Sequence, residues 1–337
     1  MLKHSDGFDH YAATNATAAQ ITSYLQAAGY TVNNATNATF NIINGTDSGS
    51  LGLRMTVQAS SATPPSLGFP FTSTSSLVAF GFGFRGTGSR MRFCRLDGVV
   101  DLEWDATTGK MKVGTTLGQD VIIMNAWWYI EIEVDKTDNE VRIYANDVLQ
   151  LTVPLPVGVT NNYNVTFGMP SVSSVACVME IDDFYIADGD GALNNSRLGP
   201  VAIITRAPTA DVTKQWDIVG SQATTHYSVA AQLDPGRSGA PYLQANVEGK
   251  TDTFTSNTVM PNDNTIFAVS LVSFAKKGDL DDRQLGMTLS TTNGSLESAV
   301  PLTEGFRYRQ VIFEQAPGSV PWNKNRVESS EFGIVAR

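Results

Sequence analysis

The short run Glu180-Ile-Asp182-Asp183-Phe184-Tyr185 comes nearest in this chain to a set of residues that could do acid–base chemistry. In an extended strand alternate side chains share a face, so Glu180 and Asp182 would point into one cleft. Cleaving a glycosidic bond with retention takes two carboxyl groups about 5–5.5 Å apart, one as nucleophile and one as acid/base. Where a further glutamate would complete the set, this strand has Phe184 or Tyr185. The pair is incomplete on its own strand. The reading it favours is that Asp182 and Asp183 belong to a strand end or turn, and that the chain is not an enzyme.

Trp127, Trp128 and Tyr129 offer a second kind of chemistry, because a flat apolar ring with a polar handle suits stacking against a sugar. If Ile130 and Ile132 point inward, alternation sends one tryptophan inward too, which leaves at most one as an exposed platform. His4, His10 and His226 are far apart and lie in no recognisable nucleophile motif, so a hydrolytic triad is not expected. Phe80-Gly-Phe-Gly-Phe84 fails the dinucleotide pattern and reads as a strand with close backbone packing. Cys94 and Cys177 are too few for a disulfide framework and lack metal-ligand spacing; they read as small buried hydrophobes.

Composition limits the partners. A net charge of -10 supplies no positive field for a phosphate backbone, so nucleic acid is not expected. No apolar run approaches the roughly 20 residues a membrane-spanning helix needs, and the opening Met1-Leu-Lys-His-Ser-Asp-Gly-Phe8 lacks the apolar core of a signal peptide. The expectation is a protein made in a cytoplasm and not inserted in a membrane.

The elements that must position these residues read as strands. Residues 15–30 hold the clearest helical stretch, with Ile21, Leu25 and Ala28 at helical spacing and Gly29 placed to stop it. After it come strand-like runs at Leu51–Val57, Ser76–Phe84, Ser89–Leu96, Val100–Trp104 and Lys110–Thr115. From Trp127 to Val153 two turns, Lys136–Asn139 and Asn146-Asp147, join alternating runs into a meander, followed by Tyr163–Phe167 and Ala176–Ile186. Asp188-Gly-Asp-Gly-Ala-Leu-Asn-Asn195 has strong turn chemistry and marks a domain boundary. Beyond it lie Leu198–Thr205, Thr265–Ala275, Gln284–Thr291, Phe306–Phe313 and Gly333–Val335. The predicted fold is all-β, with two β-sandwich, jelly-roll-like domains at 1–190 and 191–337 and one short helix near the start. No coiled-coil or solenoid repeat is encoded.

Asp6-Gly-Phe-Asp-His-Tyr11, Trp128-Tyr-Ile-Glu-Ile-Glu-Val134, Val141-Arg-Ile-Tyr-Ala-Asn146 and Ile181-Asp-Asp-Phe-Tyr-Ile186 together resemble the laminin-G/concanavalin A-like module of tailed-bacteriophage structural proteins, over roughly residues 1–190. Leu198-Gly-Pro-Val201, Pro208-Thr-Ala-Asp211, Gln215-Trp216, His226-Tyr227, Thr251-Asp-Thr253, Pro321-Trp322 and Glu331-Phe-Gly-Ile-Val335 resemble the module that commonly comes next in those proteins. The resemblance implies a structural component of the virion, tail- or tail-fibre-associated, with a capsid decoration or head fibre as the alternative and a glycan depolymerase behind both. It implies other virion proteins as partners and a homo-oligomer with a trimer favoured; it implies no known ligand, and a host-surface glycan is a candidate through the residues Trp127 or Trp128 themselves. Modules of this kind often hold calcium at a rim, which makes Asp182, Asp183, Asp188 and Asp190 candidate ligands; no other cofactor is expected. Asp188-Gly-Asp-Gly-Ala-Leu lacks the further acidic ligand and the sixth-position glycine of a helix–loop–helix calcium loop.

Overall fold

The computed structural model describes residues 1–11, 16–46, 50–57, 64–88, 91–168, 176–220, 224–232, 239–257, 259–260 and 264–337. Asn15, at the start of the expected helical stretch, and Ser89, at the start of an expected strand, lie outside them. The chain forms two compact units, Met1–Ile204 and Thr205–Arg337. It is all-β with a few short helices, as the alternating runs predict.

The first unit stacks two antiparallel sheets. One has eight strands, in the order Val148–Pro154, Glu140–Ala145, Trp128–Asp135, Leu77–Thr87, Cys177–Asp188, Leu51–Val57 and Ala38–Asn44, with Leu2–Asp6 also paired to Cys177–Asp188. The other has seven, in the order Thr116–Val121, Lys110–Val113, Val100–Asp105, Arg92–Leu96, Asn162–Gly168, Ser66–Thr72 and Thr31–Asn33. Alternation decides which side chains meet between them. Phe80, Phe82 and Phe84 of one sheet bury against Phe93 and Phe167 of the other, with Phe82–Phe167 centroids at 5.0 Å and Phe84–Phe93 at 4.8 Å. Each buried ring contributes about 1.5–3 kcal/mol. Gly81 and Gly83 fall between these phenylalanines, on the opposite face.

The meander forms as its turn residues require. Asn146 and Asp147 both take positive φ, 46° and 69°, the combination a two-residue hairpin turn needs, and Asn146 Oδ1 accepts the Tyr129 amide at 2.8 Å. Ile130, Ile132 and Val134 are buried toward the core while Tyr129, Glu131 and Glu133 face the other way. The helix is Ala18–Ala27, capped by Thr17 and Gln20 in a reciprocal capping box. The opening motif is a fastening: Asp6 accepts the Phe8 amide and the hydroxyls of Tyr11 and Tyr30, each at 2.8 Å. Cys94 and Cys177 are buried and form no disulfide.

The second unit has a five-stranded antiparallel sheet in the order Ala210–Lys214, Thr251–Thr255, Glu331–Ala336, Gln284–Thr291 and Gly294–Pro301, and two ribbons, Val269–Ala275 with Arg307–Phe313 and Asp217–Val219 with Tyr242–Gln244. Leu285, Met287 and Leu289 of the sheet pack with Val311 and Phe313 of the longer ribbon, Trp322 and Val327. Leu198–Thr205, expected as a strand-like run, is not one. Its amides at Leu198, Gly199 and Ile203 bond instead to side chains of the first unit.

Candidate functional site

Strand Cys177–Asp188 lies in the middle of the eight-stranded sheet, between Leu77–Thr87 and Leu51–Val57. The turn or strand-end reading of Asp182 and Asp183 is corrected here: both are buried inside this twelve-residue strand. At Asp183 the backbone turns to φ 50° and the pairing slips between Asp182 and Tyr185. Such a bulge re-aims the residues after it. Phe184 turns into the core, its ring centre 5.5 Å from that of Phe167, while Tyr185 joins Glu180 and Asp182 on the outer face. Strict alternation would have put Phe184 there.

The outer face has a covered part and an open part. In the covered part, Tyr185 donates its hydroxyl to Glu131 Oε1 at 2.6 Å, and Tyr129 donates to the Asp183 carbonyl at 3.0 Å. Residues 197–203 lie over these groups. Arg197 bonds Glu131 Oε2 at 2.7 Å and Asp147 at 2.6 Å, with its guanidinium 4.0 Å from the Tyr144 ring centre. The amides of Leu198, Gly199 and Ile203 donate to the Tyr185 oxygen, Glu131 Oε1 and Asp183 Oδ1 at 3.0, 2.9 and 2.6 Å. Burial pushes the hydroxyls of Tyr129 and Tyr185 well above their ordinary range, so both stay protonated donors.

Asp182 accepts the Thr46 amide at 2.8 Å and the Asp183 amide at 2.8 Å, with Ser50 Oγ at 3.4 Å. Burial raises its carboxyl to about 6, and the bonds from the Thr46 and Asp183 amides hold that rise in check. Such a group changes protonation near neutral pH, as a general acid or base must.

The open part is a row of cross-strand neighbours. Glu180 pairs with Arg54 on one side and Arg85 on the other, and Arg54 pairs with Asn41 beyond. Glu180 is buried beneath both guanidiniums; it binds Arg54 through Nε at 2.7 Å and Nη2 at 2.6 Å, and Arg85 through Nε. The Arg85 guanidinium stands 4.8 Å from the centre of the half-buried Trp127 ring. Trp128 is also half-buried, with its indole nitrogen bonded to the Ile123 carbonyl at 3.0 Å. Of the two tryptophans, Trp127 is the one that joins the row.

The four candidate calcium ligands divide. Asp182 and Asp183 share Thr46, whereas Asp188 lies farther along the strand, bonded to Ser73 at 2.7 Å and to Lys3 at 3.1 Å, with the Asp190 amide on its other oxygen. Among the described residues no group of three or more His, Cys, Asp or Glu side chains is arranged to hold a metal ion.

In the second unit, motifs far apart in sequence converge. Fully buried Asp252 accepts the amides of Gln215 and Trp216 at 2.6 and 2.9 Å and meets His226 Nδ1 at 2.5 Å. Asp211 accepts the amides of His226 and Tyr227. The cluster closes a helix start against the sheet. His10, in the first unit, is half-buried, and its desolvation lowers its pKa.

No family model and no curated protein matches this chain. Solved structures that it is similar to include a sialidase (12% identity, TM-score 0.33, covering 47% of this chain and 17% of that one), the alginate lyase AlgAT5 of polysaccharide lyase family 7 (14%, 0.31, 51% and 88%), and lectin UEA-II complexed with galactose (9%, 0.30, 47% and 97%). The expectation that the chain is not an enzyme is corrected: a sialidase and an alginate lyase stand beside a lectin among these structures. The reason for that expectation also fails physically. A second carboxylate need not share the strand, because the sheet brings Glu131 onto the same face from two strands away, across Leu77–Thr87.

Proposed function

We propose that the first unit is a glycan-binding module whose binding surface is the outer face of the eight-stranded sheet, and that the chain is a structural component of a tailed-phage virion, tail- or tail-fibre-associated. One observation carries the glycan reading: the open row Asn41, Arg54, Glu180, Arg85, Trp127 puts an aromatic ring and several hydrogen-bonding groups side by side on a sheet face. Sugars are bound by that combination, a flat apolar surface for the ring and fixed donors and acceptors for the hydroxyls. The virion reading is supported by the order of motifs that resembles phage structural proteins; a capsid decoration or head fibre is its alternative. The partners are then other virion proteins and further copies of the chain, a trimer first among them.

The test is retention of the full recombinant chain on immobilised host polysaccharides, with antibody labelling of intact particles. Glycan binding that weakens in Trp127→Ala, and label on the tail, are the expected results. Retention on no polysaccharide removes the glycan reading, and particles without label remove the virion reading.

A second reading, cleavage of a glycan on the same face, is favoured by Asp182, buried on the face that also carries Glu131 and Tyr185, with a carboxyl that titrates near 6. Incubation with host polysaccharide and assay for new reducing ends or unsaturated ends tests it; release that is lost in Asp182→Asn supports it.

A further inference from the structure

We propose that Arg54, Arg85 and Trp127 form a subsite for a carboxylated sugar unit, a uronate or a sialate, so that the ligand of this face is an acidic glycan. The inference rests on the glycan-binding reading above and goes on to name the class of glycan.

Charge marks this row. On a chain of net charge -10 several arginines are each matched or outnumbered by carboxylates of their own. Arg142 touches Glu133, Asp135, Asp138 and Glu140; Arg197 touches Glu131 and Asp147; Arg283 touches Asp279 and Asp281. Arg54 and Arg85 share the single carboxylate of Glu180. The Glu180 side chain is 4% exposed, while the side chains of Arg54 and Arg85 are 40% and 28% exposed. The buried side of the row therefore carries the negative charge and the solvent side the positive one.

Hydrogen bonding points the same way. A guanidinium has five N–H donors in a planar fork that matches a carboxylate two bonds at a time. Glu180 takes Nε and Nη2 of Arg54 and Nε of Arg85, and has no need of the other terminal nitrogens. Glu180 also holds both side chains in place, so they are oriented before a ligand arrives.

Geometry supplies the rest. Asn41, Arg54, Glu180 and Arg85 are direct cross-strand partners, so they lie in a line across four strands, about 14 Å long at roughly 4.8 Å per strand. The strand spacing is close to the length of one pyranose unit, so successive units of a chain laid across the strands would meet successive side chains. Trp127 ends the row beside Arg85, where a ring face can hold the apolar side of the sugar whose carboxylate meets the arginines.

The experiment uses the full chain and immobilised alginate, polygalacturonate and polysialic acid, each beside its carboxyl-reduced form, with dextran as a neutral polymer. The expected result is binding to at least one acidic polymer, weakened tenfold or more by carboxyl reduction, and weakened similarly in Arg85→Lys, which keeps the charge and loses the fork. The polymer retained tells uronate from sialate. Because reduction alters only the ligand, that comparison stands even if a variant misfolds. Equal binding to native and carboxyl-reduced polymer, or binding to dextran alone, overturns the acidic-glycan inference while the glycan-binding reading survives. Binding to none of them overturns the acidic-glycan inference, and retention on no host polysaccharide either overturns both.

Discussion

Tyr185 and Glu131 meet directly above Gly81, the tyrosine hydroxyl donating to Glu131 Oε1 at 2.6 Å, on strands that flank the glycine on either side. A Cβ at Gly81 would come within 2.5 Å of the Tyr185 ring and 2.9 Å of both Glu131 Cγ and the Tyr129 ring. The absence of a side chain there is what allows the covered network to form. Gly81→Ala should therefore destabilise the protein by about 1–3 kcal/mol through overpacking. Gly278→Ala, where nothing lies within 4 Å, should stay within about 0.5 kcal/mol. Urea denaturation of the two variants makes the comparison, and equal stabilities would show that the network has room to shift.

Asp182 should leave a signature in the dependence of stability on pH. Burial raises its carboxyl from an ordinary 3.8 to about 6, so the folded chain binds this proton more tightly than the unfolded chain. Its contribution favours folding at low pH and is lost as pH rises from about 4 through 6. From pH 4 to pH 7 the stability difference between Asp182→Asn and wild type should move in favour of the variant by about 2 kcal/mol, at about 1.36 kcal/mol for each tenfold difference in proton affinity. A difference that stays flat over that range would mean that the carboxyl titrates normally.

Arg197 holds residues 197–203 on the sheet through Glu131, which is fully buried, and Asp147, which is exposed. Removing the cation leaves Glu131 with its bonds from Tyr185 and Gly199 but without the Arg197 counter-charge. Arg197→Met should cost about 3–5 kcal/mol, as breaking a buried pair does. Asp147→Asn should cost less than about 1 kcal/mol, the range of an exposed pair. Thermal unfolding of both variants distinguishes them; similar small losses would show that the segment is held mainly by its backbone amides.

Asp252 joins three elements of the second unit, and Asp252→Ala strands two amides and the His226 ring. These partners are only partly buried, so the loss expected in this unit is about 1–3 kcal/mol, the cost of one fully buried unpaired group. Amide exchange followed by mass spectrometry should show faster exchange over 210–216 and 251–255, with the first unit unaffected. Unchanged exchange there would show that the sheet holds without the cluster.

Cys94 is buried, which pushes its thiol well above the usual range, and Cys177 is buried in the other sheet. Neither should react with a thiol reagent in the native protein, and both should react once it is unfolded. Rapid native labelling of either would point to an opening of its sheet.

Strands and most turns were legible along the chain, because alternation and turn chemistry are local. Ile130, Ile132 and Val134 needed only their own neighbours to be read as core-facing, and Asn146-Asp147 only its own φ preferences. The fastening residues were marked as well: Asp6, Tyr11, Asp211, His226 and Asp252 all lie in motifs visible in the sequence, although their convergence was not. The outer face is a product of the folded sheet. Glu180 finds its cations on strands 126 and 95 residues away, at Arg54 and Arg85, and nothing in the sequence records that register. The bulge at Asp183 belongs with it. It breaks the two-residue period, turns Phe184 inward and brings Tyr185 to Glu131, because pairing with both flanking strands outweighs alternation at that one residue. So does the path of residues 197–203, whose apolar content reads as a strand while their amides bond to buried carboxylates that only the folded sheet presents.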